Sequence, residues 1–357
     1  MGIELSEILE IYGEGKFLAL GGAAIGLLFG FFAQRSKFCL RAAVIDFWHG
    51  HFKDKLSIWL LAFSAAVIGT QALALWGGLD TNNARQISAK GSLSGALIGG
   101  LIFGMGMILT RGCASRLLIL SANGNLRALL SGLIFAVVAQ SSLSGALMPA
   151  RVAISEWSTL DGGPGRDLLA LLGAGHVTGF FLGVIWFLIA IYFVSRSTSK
   201  PLGLWIGGIG TGLSVAAAWG FTQWVARNSF EPIQIQGLTF SGPSAEWLMR
   251  VLQSPAPKIG FEFGLLPGVF LGSFLGAVVG HDLKLEGFKD GYSMRRYIVG
   301  AVLMGFGSML AGGCAIGAGV TGGAIVALTA WVSLIGMWLG AGLTDKWLDS
   351  PATHKLP

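Results

Sequence analysis

Three cysteines are the residues of this chain that could most readily do chemistry. Cys39, Cys113 and Cys314 each end a glycine-rich apolar stretch, in the local sequences QRSKFCLR, LTRGCASR and LAGGCAIG, and the chain has no other cysteine. A thiol is a soft, polarizable hydrogen-bond donor, and its thiolate is a nucleophile. The equivalent placement of the three thiols therefore indicates a pathway for a sulfur-containing species.

Basic residues beside two of these thiols could help to bind an anion. They are Lys37 and Arg41 around Cys39, and Arg111 and Arg116 around Cys113. Cations and the free N–H groups of helix N-termini attract anions. The sequence around Cys314 carries no charge, so an anion there would depend on backbone amides and the S–H group. The candidate binding residues are Cys39, Cys113, Cys314, Arg111, Arg116, Lys37, Gly112 and Gly313.

Other interpretations of the cysteines stay open. A structural disulfide is disfavoured because the thiols lie at different depths and one would be left over. A zinc or copper site is disfavoured because the chain has no CxxC motif and its five histidines show no ligand spacing near the cysteines. Buried thiols without a role are another alternative. A membrane thiol oxidoreductase would need a quinone or haem site, and no pair of axial-ligand histidines lies on the apolar stretches. No cofactor is expected.

The composition predicts that lipid surrounds most of the chain. Hydrophobic residues make up 53% and charged residues 12% of the 357 residues, and the mean hydropathy is +0.70. Most of the apolar stretches approach the length of about 20 residues that a helix needs to cross a bilayer. They lie at 17–35, 56–77, 93–111, 126–148, 168–194, 202–225, 263–281, 297–312 and 323–344. We therefore expect an all-α polytopic membrane protein with about nine transmembrane helices.

The distribution of Lys and Arg predicts the orientation of these helices. Loops after the first, third, fifth and seventh stretches are basic, and the intervening loops are poorer in Lys and Arg or balanced by acids. Basic loops stay on the cytoplasmic side, so the N-terminus is expected in the periplasm and the C-terminus in the cytoplasm. The same rule explains the formal charge of +6, so no nucleic-acid partner is expected. It is also the alternative explanation for Arg111 and Arg116.

Glycine spacing indicates an internal repeat. The chain contains 56 glycines, about twice the usual share. A shift of 201 residues lays the stretch that ends at Cys113 over the stretch that ends at Cys314, with Gly106 over Gly307. A weaker match pairs GGAAIG at 21–26 with GGIGTG at 207–212 and sets Val225 opposite Cys39.

The repeat predicts how the chain is organised. We expect one integral membrane domain over 1–357, with an N-terminal repeat at about 17–148, a connector helix at about 168–194 and a C-terminal repeat at about 202–344. Four spans, one connector and four spans would run as inverted copies, an arrangement that places a transport site where the copies meet. The segments CASRLLILSANGN and CAIGAGVTGGA are too short or too glycine-rich to span alone. They are expected to form short re-entrant half-helices lining a cavity.

The motifs SKFC, RGCASR and GGCAIGAG resemble those of the YeeE/YedE family of sulfur-compound transporters, in particular its thiosulfate-uptake members. The resemblance covers nearly the whole chain. It implies an hourglass-shaped inner-membrane protein in which the three cysteines pass thiosulfate through a constriction by S–H contacts. It also implies a cytoplasmic TusA-like sulfur-carrier protein as a partner. A longer loop at about 226–262 is not explained by the family pattern.

The resulting hypothesis is that thiosulfate passes Cys314, then Cys113, then Cys39 on its way to the cytoplasm. Sulfate lacks the terminal soft sulfur of thiosulfate, so thiol contacts could distinguish the two ions. Hydrogen bonding and covalent exchange with the thiols both stay open. The alternatives are a transporter of another sulfur or selenium species, or the thiol oxidoreductase. An enzyme is not expected, and a purely structural membrane protein would not need aligned cysteines.

Overall fold

The chain folds into a bundle of helices joined mostly by short loops. The computed structural model describes residues 13–52, 54–196, 202–229, 231–252, 254, 259–288 and 291–348. The α-helices are α1 (Glu14–Ser36), α2 (Leu40–Trp48), α3 (Lys55–Leu75), α4 (Arg85–Ser88), α5 (Leu93–Leu109), α6 (Ala114–Ala122), α7 (Leu126–Ser144), α8 (Met148–Ser155), α9 (Leu168–Leu171), α10 (His176–Ser195), α11 (Leu202–Asn228), α12 (Ser241–Leu252), α13 (Phe261–Gly280), α14 (Gly291–Leu310) and α15 (Leu328–Leu348). The π-helix covers Ala315–Gly322, short 3₁₀ turns cover Thr81–Asn83 and Pro164–Arg166, and strands β1 (Gly91–Ser92) and β2 (Thr159–Leu160) pair antiparallel.

Eight helical segments among the described residues are long and apolar enough to cross a membrane. They are Glu14–Trp48, Lys55–Leu75, Leu93–Ala122, Leu126–Ser144, His176–Ser195, Leu202–Asn228, Phe261–Gly280 and Gly291–Gly322. The ninth expected span coincides with α15, a helix of 21 residues that falls outside this set. The prediction of an all-α polytopic membrane protein is therefore confirmed.

Two helix boundaries differ from the apolar stretches in the sequence. The expected connector at 168–194 is interrupted after Leu171, and its membrane-spanning part begins at His176. The short stretch at 297–312 belongs to a full helix of 20 residues, α14, which begins at Gly291. Its first turns carry Arg295 and Arg296, and these charges hid the start of the helix from a search for apolar residues.

Glycines bring four pairs of spans into close parallel contact. Helix α1 packs on α13, where Gly22 lies against Leu265 and Gly30 lies against Ser273. Helix α3 packs on α11 in the same direction, α5 packs on α15, and α7 packs on α14. A Cβ at most of these glycines would collide with backbone of the neighbouring helix. Small residues at such interfaces let membrane helices approach closely, so van der Waals packing replaces the hydrophobic driving force that lipid removes.

Two further pairs of spans are antiparallel. Helix α1 crosses α11, with Ser36 near Gly207 and Gly21 near Phe221. Helix α5 crosses α14, with Gly99 against Gly307 and Gly106 against Gly300. The two glycine contacts between α5 and α14 are related to each other by the shift of 201 residues. The shift moves Gly99 onto Gly300 and Gly106 onto Gly307, so it exchanges the two contacts.

Helix α10 lies at the edge of the bundle. It packs along α3, where Gly183 lies against Ile68. Its other side exposes Phe181, Ile185 and Leu188. Exposed apolar side chains along a helix of 20 residues are typical of a surface that faces lipid.

Candidate functional site at three helix breaks

Each cysteine lies at a break between two helices. The preceding helix ends in a residue with left-handed backbone two positions before the thiol, at Lys37 (φ 54°), Arg111 (φ 58°) and Gly312 (φ 77°). The cysteine itself has extended backbone, with φ of −163° at Cys39 and −83° at both Cys113 and Cys314. The next helix begins one residue later, as α2, α6 and the π-helix, respectively.

Backbone hydrogen bonds explain why the chain turns at these points. At the first break, the Phe38 amide donates to the Ala33 carbonyl at 3.1 Å. The Gly112 amide donates to the Met107 carbonyl at 3.2 Å, and the Gly313 amide donates to the Ser308 carbonyl at 2.8 Å. These bonds satisfy carbonyls that a helix end leaves free, and a left-handed residue is the usual way to form them.

Left-handed backbone at Lys37 and Arg111 is a departure from the usual preference. Glycine is the common residue at such a helix end, and a side chain there costs about 1 kcal/mol. Both side chains are exposed, and both are basic. Strain of this kind clusters at functional sites, so charge is a candidate reason for the two residues.

The cysteine carbonyls begin the helices that follow. The Cys39 carbonyl accepts from the Ala43 amide at 3.2 Å, and the Cys113 carbonyl accepts from the Leu117 amide at 2.9 Å. The Cys314 carbonyl accepts from the Ala318 amide at 2.8 Å in the same way. Each thiol therefore lies at a helix N-terminus, where unpaired amides and the helix dipole favour negative charge.

The first two thiols lie together. The Cys39 and Cys113 side chains are close enough to influence each other's charge, and Ser115 Oγ lies 3.4 Å from Cys113 Sγ. Cys113 is fully buried and Cys39 is partly exposed, and neither forms a disulfide. Paired S–H and O–H groups at this point can donate to a ligand and to each other.

Arg116 is the basic residue best placed beside these thiols. Its charge acts on the Cys39 sulfur, together with that of Arg41. Arg116 Nη1 donates to Gln34 Oε1 at 3.3 Å, and Gln34 Nε2 donates to Asp282 Oδ2 at 3.2 Å. Asp282 also lies 3.9 Å from Lys37 Nζ. Arg111, by contrast, is exposed at the turn.

Cys314 has different surroundings. It is fully buried, and the π-helix after it is buried along its whole length. A Cβ on Gly313 would lie 2.7 Å from the Ala318 amide nitrogen, so only glycine fits there. Gly112, the equivalent residue before Cys113, has room, because its Cβ would come no closer than 3.6 Å to Arg116. The π-helix contacts α6, which links the Cys314 break to the Cys113 break.

Among the described residues, no three His, Cys, Asp or Glu side chains gather as a metal site would require. The structure therefore brings together Cys39, Cys113 and Arg116, and it adds Gln34, Ser115 and Asp282, which the sequence did not indicate. Ser115 is two residues from Cys113, so among these three residues only its hydroxyl could have been related to the thiol from the sequence. Gln34 and Asp282 meet across 248 residues, so nothing local could pair them.

Comparison with known proteins gives one family. The sequence model described as "Sulphur transport" matches residues 35–343. The chain is 26% identical over 356 residues to the thiosulfate transporter TsuA of Escherichia coli (strain K12), covering 93% of this chain and 94% of that protein. It is 27% identical over 341 residues to the thiosulfate transporter TsuA of Spirochaeta thermophila, covering 92% of this chain and 98% of that protein.

A third relative matches a shorter part of this chain. The probable transporter YedE of Escherichia coli (strain K12) is 30% identical over 132 residues, which is 34% of this chain and 32% of that protein. The relatives are named as transporters, and the family match covers most of the chain. This protein belongs to the sulphur transport family and is a multi-pass membrane transporter rather than an enzyme.

Proposed function

We propose that this protein takes up thiosulfate across the inner membrane along a path lined by its three thiols. The observation that carries the proposal is the proximity of the Cys39 and Cys113 thiols, each at a helix break. The names of the two full-length relatives support thiosulfate as the ion. Thiosulfate carries a terminal soft sulfur, and a thiol is a soft donor that can contact it.

The path would run from Cys314 past Cys113 to Cys39. Contact between the π-helix and α6 supports the first step, and the proximity of the Cys113 and Cys39 thiols supports the second. Each thiol lies at a helix N-terminus, so the dianion would meet backbone amides at every stage. A hydrogen-bonded relay needs no thiolate, whereas in covalent exchange a thiolate would attack the outer sulfur of thiosulfate, form a persulfide and release sulfite.

Arg116 would supply the cationic contact at the inner stage of the path. It lies beside the Cys39 sulfur and is held by Gln34, whose amide is held in turn by Asp282. The planar guanidinium can offer paired N–H donors to an oxyanion. Lys37 would contribute a second positive charge through its contact with Asp282. Arg111 has no such connection to the thiols, so geometry favours Arg116 as the binding residue.

The inverted repeat belongs to the same proposal. If spans one to four correspond to spans six to nine, the parallel pairs of α1 with α13 and of α3 with α11 are copies of each other. The pair of α5 with α15 is likewise a copy of the pair of α7 with α14. The antiparallel pairs of α1 with α11 and of α5 with α14 map onto themselves. Antiparallel contact between matching spans supports inverted halves, which would place the thiols near their junction.

The orientation and the partner follow from this proposal. The N-terminus would be periplasmic and the C-terminus cytoplasmic, in agreement with the basic loops. An hourglass shape would place the wide ends of the path in the two solvents. A cytoplasmic TusA-like sulfur carrier would take the ion or its sulfur at the Cys39 side.

Growth on thiosulfate tests the proposal in cells. A bacterium that cannot take up sulfate or thiosulfate would receive this chain and be grown with thiosulfate as the sole sulfur source. We expect growth with the wild-type chain and none with Cys113→Ala expressed at the same level. Competition of uptake by sulfite, selenite and sulfate would identify the ion, and preference for any of these over thiosulfate would contradict the proposal.

A further inference from the structure

Phe240 directly precedes α12, just as each cysteine directly precedes the short helix that follows it. Helix α12 begins at Ser241, and the Phe240 carbonyl accepts from the Ser244 amide at 3.3 Å. The same bond, from the amide four residues on, starts α2 at Cys39, α6 at Cys113 and the π-helix at Cys314. Phe240 therefore stands at a helix start of the same kind, with a phenyl ring in place of a thiol.

The spacing along the chain relates Phe240 to Cys39. A shift of 201 residues moves Cys113 onto Cys314, and the same shift moves Cys39 onto Phe240. The sequence match had set Val225 opposite Cys39, but Val225 lies inside α11 and begins no helix. The fold changes this pairing because an extended segment, part of the unexplained loop at 226–262, separates α11 from α12.

That segment brings Phe240 towards Cys314. Thr321, near the C-terminal end of the π-helix, donates from Oγ1 to the Leu238 carbonyl at 2.6 Å. The next residue, Thr239, packs against Gly317, which is one turn closer to Cys314. The segment thus runs along the π-helix in the direction of the thiol and ends at Phe240.

The ring of Phe240 is buried and packs against α1. Its side chain is 1% exposed, and its centroid lies 5.3 Å from that of Phe29 on α1. A phenyl ring has no hydrogen-bond donor, and its face carries negative charge density. A dianion that passed the ring would lose hydration without gaining a partner, which is unfavourable.

We propose that Phe240 is the barrier that closes access to Cys314 along the segment at residues 231–240. Three of the four related helix starts offer a thiol to the ion, and the fourth blocks it until the ring moves aside. The identity of the ion rests on the proposed function, but the barrier itself does not.

Labelling of Cys314 tests the barrier without any transport. Cys314 is made the sole thiol by Cys39→Ala and Cys113→Ala, and a small impermeant methanethiosulfonate reagent is added to right-side-out and inverted membrane vesicles. Phe240→Ala should raise the labelling rate by about tenfold or more from one face, because tight packing no longer excludes the reagent. Phe240→Leu, which keeps most of the volume, should change the rate much less.

Phe135→Ala is the matched control, since it removes another buried phenyl ring, on α7, a helix that packs on α14. An unchanged labelling rate from both faces in Phe240→Ala would overturn the barrier. An equal increase in Phe135→Ala would overturn it too, because general loosening would then explain the access.

Thiosulfate uptake by Phe240→Ala with native cysteines separates the two claims. If labelling rises but even the wild-type chain fails to transport thiosulfate, the barrier stands and the proposed ion is wrong. If the wild type transports thiosulfate but labelling does not change, the ion stands and the barrier is wrong.

Discussion

Arg111 and Arg116 flank the same cysteine in sequence, yet the fold gives them different tasks. Arg116 lies beside the Cys39 sulfur and binds Gln34, whereas Arg111 is exposed at a helix end. Sequence distance favoured Arg111, which is two residues from Cys113. The structure instead favours Arg116, because the first turn of α6 brings its side chain back towards the break at Cys113.

Replacing each arginine by lysine separates recognition from topology. Arg116→Lys should weaken the apparent thiosulfate affinity by about tenfold, because one cation is kept but the paired donors are lost. Arg111→Lys should leave the affinity unchanged, since its charge at the loop is preserved. Concentration-dependent uptake measures both. A loss confined to Arg111→Lys would show that Arg111, and not Arg116, recognises the ion.

Replacing the two left-handed residues by glycine should increase stability, and at Lys37 it should also reduce uptake. Lys37→Gly and Arg111→Gly should each raise the free energy of unfolding by about 1 kcal/mol, because glycine removes the strain of a side chain at positive φ. If Lys37 attracts the anion, Lys37→Gly should also lower uptake. Thermal stability of the purified protein and uptake are measured side by side. Destabilisation by either change would show that the side chain is held by contacts that outweigh the strain.

At the scale of elements, the three breaks were only partly predictable. The segments after Cys113 and Cys314 are too short or too glycine-rich to span, so short helices were expected there, and α6 and the π-helix occupy those places. Helix α2 was not expected, because LRAAVIDFW follows a long apolar span and resembles the start of a basic loop. The π-helix Ala315–Gly322 packs against Thr239 and Leu238, which are remote in sequence, so no local pattern could indicate these contacts.

Glycine is required before one cysteine and not before another. Gly313→Ala should reduce both stability, by about 1–3 kcal/mol, and uptake, because the new methyl group would force the π-helix away from its backbone contact. Gly112→Ala is the control at the equivalent position and should be tolerated, since the nearest atom lies 3.6 Å away. Thermal unfolding and uptake of both variants check this. Equal tolerance of both changes would mean that the π-helix can move freely.

At the scale of the whole molecule, the sequence was enough to predict a membrane protein. The hydrophobic composition and the length of the apolar stretches reflect the surrounding lipid and not the contacts between helices. Glycine spacing predicted two halves, but the contacts between the spans required the structure. The correspondence between Cys39 and Phe240 in the repeat was missed by the weaker sequence match, which set Val225 opposite Cys39. An extended segment after α11 shifts the alignment of the two stretches by several residues. The Gly99 to Gly307 and Gly106 to Gly300 contacts join positions that the spacing had already related.

The proposed orientation predicts which loops each solvent reaches. Single engineered cysteines at Ser158 and Ser244, in a background without native thiols, should react with an impermeant reagent from the periplasmic side. One at Ser293 should react from the cytoplasmic side. Ser158 directly precedes β2, and Ser244 lies in the first turn of α12. Labelling of Ser158 and Ser293 from the same face would contradict the inverted arrangement.

Uptake of radiolabelled thiosulfate into proteoliposomes of the purified protein tests the central claim most directly. The wild-type protein should accumulate thiosulfate with little competition from sulfate, and Cys113→Ala should reduce the rate by about tenfold or more, because a donor to the charged ion is lost. Ser142→Ala is the matched control and should keep the wild-type rate, since it removes a buried hydroxyl that donates only to the Val138 carbonyl of its own helix, α7. Wild-type uptake by a folded Cys113→Ala protein would contradict a path through the thiols.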